Sequence, residues 1–344
     1  MAKDIVGVQY LRGLAALAVV VDHTAASVAS PKYFGEPVLD GLLYRGASGV
    51  DLFFLISGFI ITVVSLDGDW QPKVKIADFF WRRFKRILPL MWIAIISWAV
   101  LRYIGRGVFP LQPYLMAMVV SPVGNLEPVG IWTLRHEFIF YTVFALTMLG
   151  PRWGRLVLVA WCLSPLLLMG WEGPELLEKI AYPVNVEFGA GVLVGLAWLK
   201  RGAQFRISIE PFWLMVLGLI GLMLFGQLVD LTFHELPKTL MAAAFCTPIL
   251  LFGVYVICPP GVVSSIGLAL GNASYAIYLF HPHAISSVTG ILGKVTPQAP
   301  PGLVIVLVVV IATLAGYLAH LVVEKPILAF LLRSRRVSEL GKPA

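Results

Sequence analysis

Residues 7–29 read GVQYLRGLAALAVVVDHTAASVA, a stretch long and apolar enough to cross a bilayer as one helix, yet it holds an arginine and a histidine. Arg12 and His23 lie about eleven residues apart, which at about 100° per residue returns to within roughly 20° of the same helix face. The same spacing sets them roughly 16 Å apart along the axis, at about 1.5 Å per residue. Ionisable groups are costly in hydrocarbon and turn toward a cavity or a partner. This stretch therefore reads as a membrane helix whose polar side lines a path through a bundle of others.

The rest of the chain agrees. Of 344 residues, 59% are hydrophobic and 13% charged, against about 25% charged in a soluble globular protein. The formal net charge of +7 does not point to nucleic acid, because the basic residues fall between apolar stretches, where membrane topology places them. Cys162, Cys246 and Cys258 lie in or beside predicted spans and offer neither a disulfide framework nor a metal-ligand spacing. They read as small apolar packing residues. The first span begins within a few residues of Met1 without a cleavage site, so no removable signal peptide is expected.

Predominantly apolar stretches at 7–29, 49–66, 87–104, 130–150, 155–171, 183–199, 212–230, 238–258, 271–291 and 302–323 predict an all-α polytopic bundle of about ten membrane helices. The apolar piece from Pro110 to Pro122 is too short to cross and is expected to be interfacial or re-entrant. With both termini in the cytoplasm, inner segments hold most of the cations, including Lys73, Lys75, Arg82, Arg83, Lys85 and Arg86 in one loop and Arg333, Arg335 and Arg336 at the end. Glu172, Glu175, Glu178, Asp230 and Glu235 fall outside. The whole of 1–344 is expected to form one domain with a basic tail at 333–344 and no appended soluble domain.

This topology puts Arg12 near the inner surface and His23 in the outer half. Glu137, in WTLRHEFIFY at 132–141, is expected at a depth comparable to His23. A histidine and a carboxylate at one depth form either a base with its orienting partner or a buried polar pair that fixes packing. In GVDLFFLISGFII at 49–61, Asp51 stands near an outer end, where a carboxylate is functional or solvated, and Ser57 with Gly58 permits close helix approach. FFWRRFKRILP at 79–89 is a basic, aromatic anchor at the inner surface, but Arg82 with Arg86, or Arg83 with Arg86, also share a helical face that can grip a phosphate. Glu187 in NVEFGAG and His281 in NASYAIYLFHP are polar groups inside spans, each readable alone as packing.

Taken in order, these segments resemble the acyltransferase-3 family of integral membrane acyltransferases. The resemblance rests on the spacing of Arg12 and His23, the 49–61 segment, Arg83-x-x-Arg86 followed by Pro89, the segment from Trp132 to Tyr141, the run from Ser274 through Tyr278 to His281-Pro, and the terminal Glu324-Lys-Pro. It is nearest to the exopolysaccharide O-acetyltransferase branch, and departs from it in placing Arg135-His136 immediately before the glutamate. The resemblance implies transfer of an acetyl or other short acyl group from cytoplasmic acetyl-CoA to a hydroxyl of an exported glycan or glycolipid, in a bacterial inner membrane and in company with polysaccharide-synthesis machinery. It implies His23 and Glu137 as catalytic residues, and Arg12, Arg82, Arg83 and Arg86 as holders of the donor. Asp51, Ser57, Trp132, Tyr141, Glu187, Tyr278 and His281 would be supporting or substrate-binding, with no metal. A secondary transporter or flippase, which also needs a polar path and broken helices, is the alternative.

Overall fold

A chain in lipid must satisfy its own backbone N–H and C=O groups, so long apolar runs separated by Pro, Gly and charged loops become helices. In the computed structural model, residues 5–39, 43, 48–107, 109–168, 171–202, 207–208, 213, 218, 220–221, 224, 235–257 and 259–340 are described. The helices are α1 (Val6–Ala29), α2 (Ser48–Ser65), α3 (Ile76–Arg106), α4 (Leu111–Met118), α5 (Trp132–Leu149), α6 (Pro151–Leu167), α7 (Glu175–Ile180), α8 (Asn185–Arg201), α9 (Glu235–Tyr255), α10 (Val262–Val295) and α11 (Pro301–Ala319). A π turn over His320–Glu324 then leads into α12 (Lys325–Leu340). The one departure from helix among the described elements is a pair of two-residue parallel strands, Ile207–Ser208 against Val256–Ile257.

Seven helices among the described residues are long and apolar enough to cross a membrane: Val6–Ala29, Ser48–Ser65, Ile76–Gly105, Glu175–Arg201, Leu236–Tyr255, Val262–Val295 and Pro301–Leu332. Each covers one expected span. The expected spans at 130–150 and 155–171 form α5 and α6, of 18 and 17 residues. In α5, the consecutive Arg135, His136 and Glu137 dilute the apolar character of the first turns. The expected span at 212–230 lies outside the described residues except at isolated positions. The third helix begins at Ile76, well ahead of the expected 87, so Arg82, Arg83, Lys85 and Arg86 are helical. The short apolar piece after it is α4, whose 8 residues reach only about 12 Å. Trp92 Nε1 donates to the Met118 carbonyl at 2.9 Å and ties α4 to α3.

α1 is the central element, packed along α10 and flanked by α2, α11 and α9, while α2 packs along α8 and α11 along α10. Its Ala15, Ala16, Ala18, Val19 and Val20 are all buried. Without a hydrophobic drive between helices in lipid, close backbone approach carries the association. Gly58 on α2 faces the Phe188 carbonyl, and Gly191 on α8 faces the Leu55 carbonyl, so closely that a Cβ on either would overlap it. On the outside, Val306, Val310, Leu314 and Leu318 of α11 form an exposed apolar stripe at helical spacing, the face that hydrocarbon covers.

Candidate active site

α1, α2, α3, α5 and α10 line a partly open cavity of about 130 Å³. Arg12 reaches it from α1, Arg83 and Arg86 from α3, Ser57 from α2, Glu137 and Tyr141 from α5, and Ser274, Tyr275 and Tyr278 from α10. Positions 83 and 86 share a face of α3 and present their guanidinium groups to the same space. Arg83 is further held over the rings of Phe79, at 5.2 Å, and Tyr141, at 6.0 Å. Arg82 is exposed and is not among the lining residues. The charges that act most strongly on Arg12 are those of Arg86, Glu324 and Glu137, so three arginines converge with one carboxylate in the cavity and a second behind it. That second carboxylate, Glu324, is buried in the π turn and accepts from or shares a proton with His320 Nδ1 at 2.6 Å.

Glu137 is oriented by two hydroxyl donors on one oxygen. Ser57 donates to Glu137 Oε1 at 2.8 Å, and the Tyr141 hydroxyl, one turn along α5, donates to the same atom. A carboxylate that accepts two hydrogen bonds beside cations has a fixed direction as well as a charge. The cavity's far wall is another tight cluster: Tyr278 and Thr133 both donate to the Gly130 carbonyl, at 3.1 and 3.0 Å, and their hydroxyls are 3.0 Å apart. Tyr275 donates to the Ile87 carbonyl at 2.9 Å and fixes α10 against α3.

His23 does not line the cavity. The expectation that Glu137 orients its imidazole is corrected here. The hydrogen-bond partner of His23 Nδ1 is His281 Nε2 at 2.8 Å, with the two rings stacked at 5.0 Å between centroids. The reason is the helix arrangement: α5 makes its contacts with α2, α3, α6 and α7, whereas α1 runs along α10. His281 is 2% exposed, while the His23 side chain is 48% exposed, so the dyad has one buried and one open member. Tyr278 lies 5.9 Å from the His281 ring and so links the cavity wall to the dyad.

The other expected residues fall into supporting positions. Trp132 packs edge-on against Phe54 and His136. Arg135, the departure from the branch pattern, turns away from the cavity and caps a loop, donating from Nε to the Ser121 carbonyl at 2.8 Å and from Nη2 to the Gly124 carbonyl at 2.5 Å. His136 stacks on Tyr182 at 4.4 Å. Asp51 and Glu187 face each other between α2 and α8, Lys238 acts on both by its charge, and neither lines the cavity. The sequence reading missed Thr133, Ser274, Tyr275 and Glu324 as members of the site and its surround. The spacing of 274, 278 and 281, which is one helical face, was the available signal for α10.

Comparison with known proteins settles the class. Residues 5–321 match the family profile described as an acyltransferase domain of the acyltransferase-3 type. The chain belongs to the acyltransferase-3 family. It is similar to the exopolysaccharide production protein ExoZ of Rhizobium meliloti (strain 1021), with 34% identity over 316 residues that cover 85% of this chain and 92% of that one. It is 24% identical to the acyltransferase MdmB of Streptomyces mycarofaciens over 97% of this chain and 94% of that protein. It is 30% identical to the peptidoglycan O-acetyltransferase OatA of Listeria monocytogenes serovar 1/2a (strain ATCC BAA-679 / EGD-e) over 52% of this chain and 27% of that one. No solved structure matches it. This acyltransferase-3 protein is therefore an acyl-transferring enzyme of the membrane, built as a multi-pass helical bundle.

Proposed function

We propose that this acyltransferase moves an acetyl or other short acyl group from acetyl-CoA, bound from the cytoplasmic side, to a hydroxyl of an exported glycan or glycolipid. Its place is the inner membrane of a bacterium, with about ten spans, both termini inside and residues 1–344 acting as one domain. The observation that carries this reading is the convergence of Arg12, Arg83 and Arg86 on one cavity that Tyr278, the residue beside the His23–His281 dyad, also lines. Three guanidinium groups suit the phosphates of coenzyme A, which they grip in charge-assisted pairs. The pantetheine arm then extends through the bundle toward the dyad.

At the open histidine, the acceptor hydroxyl gives its proton to His23 as its oxygen attacks the thioester carbonyl. The new C–O ester bond forms, the C–S bond breaks, and the proton passes from His23 to the departing thiolate. Asp22 Oδ2, 3.9 Å from His23 Nε2, favours the transient imidazolium. Glu137, steered by Ser57 and Tyr141, offsets the arginine cluster and shapes the donor channel. Asp51, Glu187 and Trp132 hold the helices that carry these groups. The names of the relatives support a glycan acceptor, and polysaccharide-synthesis proteins are the partners that would present one.

The test compares a deletion strain complemented with wild-type protein or with His23→Ala, by mass spectrometry of its surface glycans. Acyl groups are expected with the first and not with the second, at equal protein in the membrane fraction. Full acylation with His23→Ala overturns the reading.

A further inference from the structure

α10 carries a histidine that no part of the acyl transfer described above consumes. His281 is 2% exposed and sits one residue before Pro282, inside the helix. Proline has no N–H, so the carbonyl four residues earlier, that of Tyr278, loses its helical donor. His281 turns its Nδ1 into this region: Nδ1 lies 3.2 Å from the Ile277 carbonyl and also faces that of Tyr278. A carbonyl only accepts, so Nδ1 carries the hydrogen. With a neutral ring, Nε2 is then left with its lone pair, and that lone pair points at His23 Nδ1, 2.8 Å away.

The donor directions now run one way. His23 must place its own hydrogen on Nδ1, which leaves the lone pair on Nε2, the nitrogen on the open side of the ring next to Asp22. A histidine whose second nitrogen is free to tautomerise spends part of its time with hydrogen on Nε2, where it cannot accept a proton.

We infer that His281 is a positioning residue that fixes His23 in the Nδ1–H tautomer, through a donor chain anchored on the helix carbonyls at the Pro282 break. This rests on the acyl-transfer reading above and assigns to a second histidine the orienting role that a carboxylate has in the Ser-His-Asp arrangement. The carboxylate Glu137 serves the donor cavity instead.

The experiment uses full-length protein in nanodiscs, acetyl-CoA as donor, and glycan isolated from the deletion strain as acceptor, with release of coenzyme A and glycan-bound acetyl both measured. His281→Leu keeps the bulk and removes the acceptor atom. It is expected to lower kcat about 10- to 100-fold, less than the roughly 100- to 10,000-fold contribution of the general base itself because His23 is retained, with KM for acetyl-CoA within about twofold. His281→Gln, whose Oε1 reaches the position of Nε2 and accepts from His23 Nδ1, is expected to recover most of kcat. A role in packing alone makes both variants lose activity in step with thermal stability, and that result overturns the inference, as does wild-type kcat in His281→Leu. If His281→Leu fails to fold, His281→Gln and His281→Asn decide: Gln retains the acceptor at the needed reach and Asn does not, so equal kcat in the two contradicts the tautomer role. Should His23→Ala retain wild-type transfer in the same assay, it is the acyl-transfer reading itself that fails.

Discussion

At the scale of single residues, the site consists of charges that a bilayer tolerates only when they meet one another. Arg12, His23, Arg83, Arg86 and Glu137 were legible in the sequence because each breaks an apolar or aromatic run. Which of them touch was not legible, since spacing fixes a residue's face on its own helix and not the neighbour that the face meets. Glu137 was expected beside His23, and the packing of α5 against α2 and α3 gave it to Ser57 and Tyr141 instead. Two arginines four residues apart provide a sharp contrast. Arg86 lines the cavity and Arg82 does not, although both belong to the same basic cluster. Removing a charge-assisted hydrogen bond costs about 1.5–3 kcal/mol, so Arg86→Ala is expected to raise KM for acetyl-CoA about tenfold or more. Arg82→Ala should leave it within about twofold, and steady-state kinetics on the two variants that show equal losses would contradict the assignment.

At the scale of helices, the apolar stretches located the long spans because length and hydropathy are local properties. Boundaries were harder: α3 and α10 begin well before their expected limits, at Ile76 and Val262, because helical backbone continues past the hydrocarbon into basic or polar rims. The α2–α8 contact was half visible, since Ser57-Gly58 suggested close approach, but the matching Gly191 was not singled out for it. Each of the two glycines faces a backbone carbonyl of the opposite helix, Phe188 for Gly58 and Leu55 for Gly191. Gly191→Leu must push α8 away from α2 and take Ser57 off its bond to Glu137. An overpacked site typically costs about 1–3 kcal/mol, and a matching fall in thermal unfolding temperature in detergent is expected, together with a raised KM for the donor. Unchanged stability in that variant would mean that the helices do not approach as closely as the packing requires.

At the scale of the whole molecule, the proposed function assigns donor binding and acyl transfer to two neighbouring parts of the bundle. Tyr278 and Thr133 line a basic cavity formed by five helices, and Tyr278 also adjoins a histidine dyad with one open ring that does not line it. Arg12 and His23 on one helix face already implied a polar path from the sequence, while the Tyr278–Thr133 contact came from α10 and α5, segments far apart in the chain. The central claim is that acyl groups cross the bundle, from a donor on one side to an alcohol on the other. The most direct measurement uses proteoliposomes with the acceptor glycan sealed inside and radiolabelled acetyl-CoA added outside. Label on the enclosed glycan with wild-type protein, and none with His23→Ala, is the result expected. Label that appears only when donor and glycan share a compartment, or passage of solute without release of coenzyme A, would contradict the account.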